Sequence, residues 1–526
     1  MKNKKLLATL IVFVIEATSV YAYNLCQARD VVYFPKDTSW NVSNVQEAIS
    51  DLYKDKCGSA NACGDIAEPK FYDDEAFIPV TIDDDGTVRR ADTTTSWYDY
   101  CEKRWANAVM LNKYRVVSNS SSDIGKITIG TAGSNTGYLY TNDETVYTEI
   151  PEYKPGEVIK ERDIQSYFVW IPKYKYKLWN VNSDGKSTGV TKGVHSIDIV
   201  FEKTDTTDVE GVSCATPLIS GESGKCNNGE YMTHPAFISA NVDGFWVAKY
   251  ETSATNLSTI ATGSGTLTAI GSSNTFDRTI AALPLKTSVV NVKFQTLFEN
   301  AYNYARAMES HMMKNTEWGA VAYLSHSKYG INKKINLNNY KSINSGYSAL
   351  PSTNQQTNPG TYGDGDGYNE TYNTEIGYLA STTGNITGIY DLVGGAQEYV
   401  ASYIDTKFGS SGFKATTIAE YDAKYFDVYN TSSTASTFKY RILGDATGET
   451  GPFKSFIDGD GDTTATTTNS RNHNTWYNSL ARFVLSSEPF FLRGGTFKNG
   501  GLASQFYFDN HTGAAHANVG YRFVLF

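Results

Sequence analysis

The stretch that most constrains the fold is the closing one, RGGTFKNGGLASQFYFDNHTGAAHANVGYRFVLF, residues 493–526. A dispensable tail fades into polar, low-complexity residues. Here Tyr521, Phe523 and Leu525 alternate with Arg522 and Val524, which is the period of a strand with one buried face. A strand made from the last residues needs a sheet already built from earlier ones. The final residues are therefore expected in a core. The polar stretch before them is expected to be held between two strands.

Earlier segments supply partners. SYFVWIPKYKYKLWNV (166–181) reads as a strand interrupted at Pro172. FQTLFENAYNYARAM (294–308) places Phe294, Leu297, Phe298, Ala301, Ala305 and Met308 at helical spacing. TEWGAVAYL (316–324) follows Asn315, a good helix N-cap. SNVQEAISDLYK (43–54) gathers Val45, Ala48, Ile49, Leu52 and Tyr53 on one helical face, with Ser43 and Gln46 as a capping box. The chain thus divides into a small helical N-terminal module (23–64), an irregular β-rich region (65–165) and an α+β domain (166–526). Long polar insertions fall near 330–375 and 405–475, where a compact domain rarely keeps structureless loops without a use for them.

Composition excludes some functions. The 526 residues carry a formal net charge of −10, and a general nucleic-acid binder needs a basic face. Tyr is abundant, at 37 residues, and Tyr among small polar residues suits recognition surfaces. Lys2, Lys4 and Lys5 precede the apolar run LLATLIVFVI (6–15) and VYA (20–22). Residues 1–22 therefore read as a signal peptide or, because Glu16 interrupts the pattern, an uncleaved N-terminal anchor. Membrane contact is expected only through that segment. The six cysteines of an exported chain favour disulfides. Cys57 with Cys63 and Cys214 with Cys226 are the expected local pairs, and the pairing of Cys26 and Cys101 stays open.

No motif names an enzyme. SGESGKC (220–226) has Cys226 where a phosphate loop needs a hydroxyl. Calcium is the one cofactor left open. DGDGD (458–462) offers Asp458, Asp460 and Asp462, and GDGDG (363–367) offers Asp364 and Asp366 with Glu375 further on. Both lack the remaining ligands of a calcium loop. The histidines show no HExxH pattern.

The order of several short words points to a family. GFWVAKYETS (244–253), SVVNVKF (288–294), NTEWGAVAYL (315–324), TGIYDLVGGAQEYV (387–400), RGG (493–495) and GYRFVLF (520–526) together resemble the formylglycine-generating enzyme, or sulfatase-modifying factor, family. The resemblance spans roughly 166–526. It implies a variant of the C-type lectin fold, with calcium near the GIYDLVGG word in some members. The family's enzymes use redox-active cysteines late in the domain, and no cysteine follows Cys226 here. A thiol mechanism needs a thiol. The resemblance extends to non-catalytic members of this fold, the variable proteins of diversity-generating retroelements, whose stretch between RGG and the final strand is a ligand surface.

The expected function is then an exported, cell-surface-associated binding protein. Lys498, Gln505, Tyr507, Asp509, Asn510, His511, His516 and Asn518 are its expected exposed contacts, and a protein or glycan its ligand. Truncating Tyr507 or Asn510 should cost little stability, and truncating Phe523 much more. An enzyme of the family with altered chemistry and a component of a pilus-like surface assembly are the competing expectations.

Overall fold

The closing alternation serves two sheets rather than one. The computed structural model describes residues 66–112, 152–177, 195–202, 232–254, 280–337, 370–429 and 477–526, with isolated gaps, and a few two-residue strands between them. The expected signal segment, the 43–54 helix, both aspartate runs, and Cys26, Cys57, Cys63, Cys214 and Cys226 lie outside the described residues. Cys101 is disulfide-bonded.

The strands that carry the architecture are β1 (Phe77–Ile82), β2 (Val88–Arg90), β3 (Asn107–Leu111), β4 (Ile164–Pro172), β5 (Gly244–Ala248), β6 (His311–Met312), β7 (Gln397–Ile404), β8 (Asp427–Tyr429), β9 (Phe490–Arg493), β10 (Phe508–His511), β11 (Val519–Tyr521) and β12 (Phe523–Leu525). The first sheet has seven strands in the order β6-β12-β5-β4-β3-β1-β2, antiparallel throughout. Its central strands read VWI, FWVA and AVML and are buried on both faces. Trp170 and Trp246 lie opposite each other, with ring centroids 5.3 Å apart. Phe77 meets Trp246 edge-on at 5.4 Å. Aromatic pairs in such geometry add about 0.5–1.5 kcal/mol beyond their buried area.

This sheet removes the expected boundary at 165/166. Strands β1 to β3 come from the region read as a separate β-rich unit, yet β3 pairs with β4 through Asn107 opposite Val169 and Ala108 opposite Phe168. Ile66–Phe526 is a single compact unit. The break at Pro172 is real. Pro172 ends β4, and the chain resumes as Tyr174–Lys177 in a separate three-stranded sheet.

The second sheet is mixed. Its order is β8-β7-β9-β10, and β11 also pairs with β7, in parallel. Strand β8 and the turns before it come from the expected 405–475 insertion, so residues 405–429 belong to the domain body. Residues 330–337 do too, with Ile331, Ile335 and Leu337 buried. The polar composition of both segments hid these anchors.

Arg522 stands where the chain leaves one sheet for the other. β11 pairs with β7 in the second sheet, and β12 pairs with β5 and β6 in the first. Tyr521, Arg522, Phe523, Val524 and Leu525 are all at 0 % exposure. The expected solvent face of this strand does not exist.

Two helices pack between these strands. α1 (Phe294–Tyr304) ends four residues earlier than its apolar spacing predicts, and Arg306–Met308 form a separate 3-10 turn. Its first N–H groups are taken from other loops: Phe294 N donates to Gly513 O (3.0 Å) and Gln295 N to Ser411 O (3.0 Å). α2 (Asn315–Ser325) is buried all round. Asn315 is its first residue rather than its cap. Glu317 accepts from Lys314 N (2.7 Å), Ser402 from Asn315 N (2.9 Å) and Asp427 from Thr316 N (2.7 Å), which satisfies the donors a cap would serve. Among the described residues no helix is long and apolar enough to cross a membrane.

Candidate functional site

Four of the six words quoted above, GFWVAKYETS, SVVNVKF, TGIYDLVGGAQEYV and GYRFVLF, meet in a buried charge network. Arg522 donates through Nη2 and Nε to the two oxygens of Glu398 (2.8 and 3.3 Å). It also donates to Ala248 O (2.7 Å) and Tyr390 O (2.9 Å). Lys249 Nζ donates to Asn107 Oδ1 (2.9 Å) and Ile386 O (2.6 Å) and lies over the Tyr390 ring. Glu251 accepts from Ala396 N (2.9 Å) and from the Ser288 hydroxyl.

Gly395 has φ +61°, and a Cβ there would lie 2.4 Å from Glu251 Oε1. Only glycine fits both the backbone and the neighbour. Burial pushes the Lys249 ammonium well below the usual lysine range. Burial, then the charges of Asp391 and Glu398, push Glu251 well above the usual carboxylate range. Each group has its partners and is sealed from solvent, so the network holds the two sheets together rather than meeting a substrate.

The eight expected contact residues fall into two groups. Gln505 is at 0 % exposure. Its amide donates to Lys333 O (2.9 Å) and accepts from Ile335 N (3.3 Å), and its carbonyl accepts from Trp318 Nε1 (2.9 Å). Gln505 therefore pins the 333–335 loop. Asn510 is buried at 1 % exposure and, by strand alternation, points to the opposite face from Asp509 and His511. Lys498 lies on a 3-10 turn, Phe497–Leu502, with its side chain outside the described residues. Tyr507 and Asp509 are also buried. The expectation of eight exposed side chains thus fails, because a stretch joining two packed strands is covered from both sides.

The remaining residues gather on one face of the second sheet. The Tyr507 hydroxyl lies 3.3 Å from Gln397 Oε1 and 3.4 Å from Asp509 Oδ2. The Tyr399 hydroxyl bridges His511 Nδ1 and Ala514 O. The His511 and His516 rings meet edge to face at 5.5 Å. His516 Nδ1 accepts from Asn518 N (3.2 Å), and Asn518 O accepts from Gln397 N (3.1 Å). His516 is exposed, while Gln397, His511 and Asn518 are half-buried. Burial holds the Tyr399 phenol well above its ordinary range, so it stays protonated. Gln397 and Tyr399 escaped the sequence reading. Their signal was the alternation of the QEY word, which puts both on the face opposite Glu398.

Main-chain bonds fix this patch from behind. Asn291 N donates to His516 O (2.9 Å) and Ser410 N to Thr512 O (2.6 Å). The outer edge of β10 is closed as well: Phe508 N donates to Leu480 O (3.1 Å) and Asn510 N to Asp509 Oδ1 (2.8 Å). An edge strand with its donors so occupied does not invite strand addition.

Among the described residues no group of three or more His, Cys, Asp or Glu side chains is placed to hold a metal ion, and both oxygens of Glu398 face Arg522. No protein-family model matches the chain, and no curated protein matches it.

Proposed function

We propose that the chain is an exported, surface-associated binding protein. Its body is a formylglycine-enzyme-like variant of the C-type lectin fold, and its ligand surface is the patch of Gln397, His511, His516 and Asn518, held against the buried Tyr507 and Asp509. One observation carries the reading: the backbone under the patch is held by main-chain bonds from α1, β7 and the loop after β7. Its exposed side chains can therefore change without disturbing the fold, which is what a recognition surface requires. The fold assignment is supported by the meeting of the GFWVAKYETS, GIYDLVGGAQEYV and GYRFVLF words at the Arg522 network.

The test is a glycan array and a panel of cell surfaces probed with purified protein and with a Gln397→Ala/His516→Ala variant. Binding that weakens about tenfold or more in the variant, with an unchanged melting curve, is the expected result. Binding that the variant retains in full would place the ligand elsewhere.

A further inference from the structure

Cys101 is disulfide-bonded, and we propose that its partner is Cys63, in a bond that fastens the strap 66–71 over Trp170 and Trp246. The five other cysteines lie outside the described residues. Their relation to Cys101 follows from the course of the described chain that leads to each.

Residues 66–71 belong to no strand or helix. Two buried indoles hold them: Trp170 Nε1 donates to Ala67 O (2.9 Å) and Trp246 Nε1 to Lys70 O (2.7 Å). Phe71 packs on Trp246 at 5.4 Å and on Trp97 at 6.1 Å.

This strap runs alongside the segment that carries Cys101, in the opposite direction. Phe71 meets Trp97. Burial, then the Glu68 carboxylate, push the Tyr98 phenol up, which sets Glu68 beside Tyr98. Ala67 and Tyr100 share a partner, since the Tyr100 hydroxyl donates to Trp170 O (2.7 Å). A walk back along the strap from 71 to 67 is thus a walk forward from 97 to 100. The next position on one side is Cys101. On the other side the chain continues back from Ile66, and the first cysteine it meets is Cys63.

Reach agrees with direction. Cys63 lies four residues before Ala67, a span of at most about 14 Å, and a disulfide asks for Cα atoms about 4.4–6.8 Å apart. The receiving turn is set without the bond: Cys101 N donates to Asp99 Oδ1 (2.9 Å) and Arg104 N to Asp99 O (2.7 Å). Cys57 and Cys26 lie further back along the same chain, and Cys214 and Cys226 are spaced to close on each other. Cys63 is then no longer open to the local pairing with Cys57 that spacing alone suggests. The two thiols pass two electrons and two protons to the disulfide of a thiol–disulfide oxidoreductase, which leaves as a dithiol, and one S–S bond forms. An oxidising compartment supplies such a partner and preserves the product.

The experiment is non-reducing peptide mapping of the full chain, with free thiols blocked before digestion. Trypsin leaves Cys57 and Cys63 together in 57–70 and Cys101 in 91–103. The expected result is these two peptides joined, with backbone fragmentation placing the link on Cys63. An internal bond in 57–70, or Cys101 joined to Cys26, Cys57, Cys214 or Cys226, overturns the assignment. Indole hydrogen exchange, followed by NMR in tryptophan-labelled protein, tests the fastening. In Cys63→Ser the Trp170 and Trp246 N–H groups should exchange about tenfold faster, the weight of one such bond. In Cys57→Ser they should keep the parent's rate. Mild reduction of the folded parent makes the same comparison if Cys63→Ser does not fold. Unchanged indole exchange once the Cys101 bond is cut overturns the fastening. Neither readout involves a ligand, so the binding reading stands or falls separately.

Discussion

Replacing Arg522 by Met tests whether the two sheets depend on the buried ion pair. The guanidinium makes four contacts, two to Glu398 and one each to Ala248 O and Tyr390 O. Removing one partner of a buried pair costs about 3–5 kcal/mol, because the other charge is left without compensation. Each buried carbonyl that loses its donor adds about 1–3 kcal/mol, less whatever it recovers from relaxation. The contributions overlap, so a total loss of about 5 kcal/mol is expected, against an ordinary domain stability of about 5–15 kcal/mol. Replacing both Glu398 and Arg522 by Met removes the stranded carboxylate as well. The double variant should therefore be more stable than the sum of the singles by about 2–3 kcal/mol. Urea denaturation at neutral pH measures all three variants, provided the m-value holds. A loss below about 1 kcal/mol for Arg522→Met, or additive singles, would refute the view that this pair ties the sheets together.

Other outcomes follow from the same contacts. Glu251→Gln keeps the acceptor for Ala396 N and removes the charge. A carboxyl whose folded pKa is raised holds its proton longer when folded, so its ionisation costs stability as pH rises above about 4.5. The stability of Glu251→Gln relative to the parent should accordingly increase as the pH rises above the ordinary carboxylate value of about 4.5, and a difference that stays constant as the pH rises would contradict the assignment. Tyr507→Phe should cost about 1 kcal/mol for the lost hydroxyl contacts, and Tyr507→Ala about 3–5 kcal/mol for the buried ring; equal, small losses would mean that the ring is exposed. Phe523→Ala should also cost about 3–5 kcal/mol in the same melts, since its ring packs on Phe168 at 5.6 Å and Tyr304 at 4.5 Å. Incubation with a sulfatase-motif peptide should leave the peptide's cysteine unconverted by mass spectrometry, because the chain has no cysteine after Cys226; turnover would require chemistry from other residues.

The strands and helices that were legible in the sequence share one property: their apolar residues settle the matter alone. FVWI in β4 and the Phe294, Leu297, Phe298, Ala301 face of α1 need no polar partner to be recognised. Boundaries failed where a distant group took over. Asn315 looks like a cap, but Glu317, Ser402 and Asp427 serve those donors, and two of the three lie far along the chain. The closing stretch failed for the same reason on a larger scale. Gln505, Tyr507, Asp509 and Asn510 read as surface because polar side chains usually are. A polar side chain can be buried wherever a partner waits for it, and here the partners include the carbonyl of Lys333 and the side chain of Gln397, each more than a hundred residues away.

Arg522 shows what the alternation left ambiguous. Period-two patterning identifies a strand and assigns its odd and even residues to opposite faces, but it does not say whether both faces are covered. The sequence did contain a second signal, the lone acid of the QEYV word, Glu398, set among residues that had to be buried. A buried acid requires a base, and a base on the nominally exposed side of a strand that closes a core is the natural candidate. Pairing those two residues would have shown that the closing strand has no free face. It would also have shown that the polar stretch before it runs into the interior between the exposed Gly501 and Leu502 and the turn that carries His516.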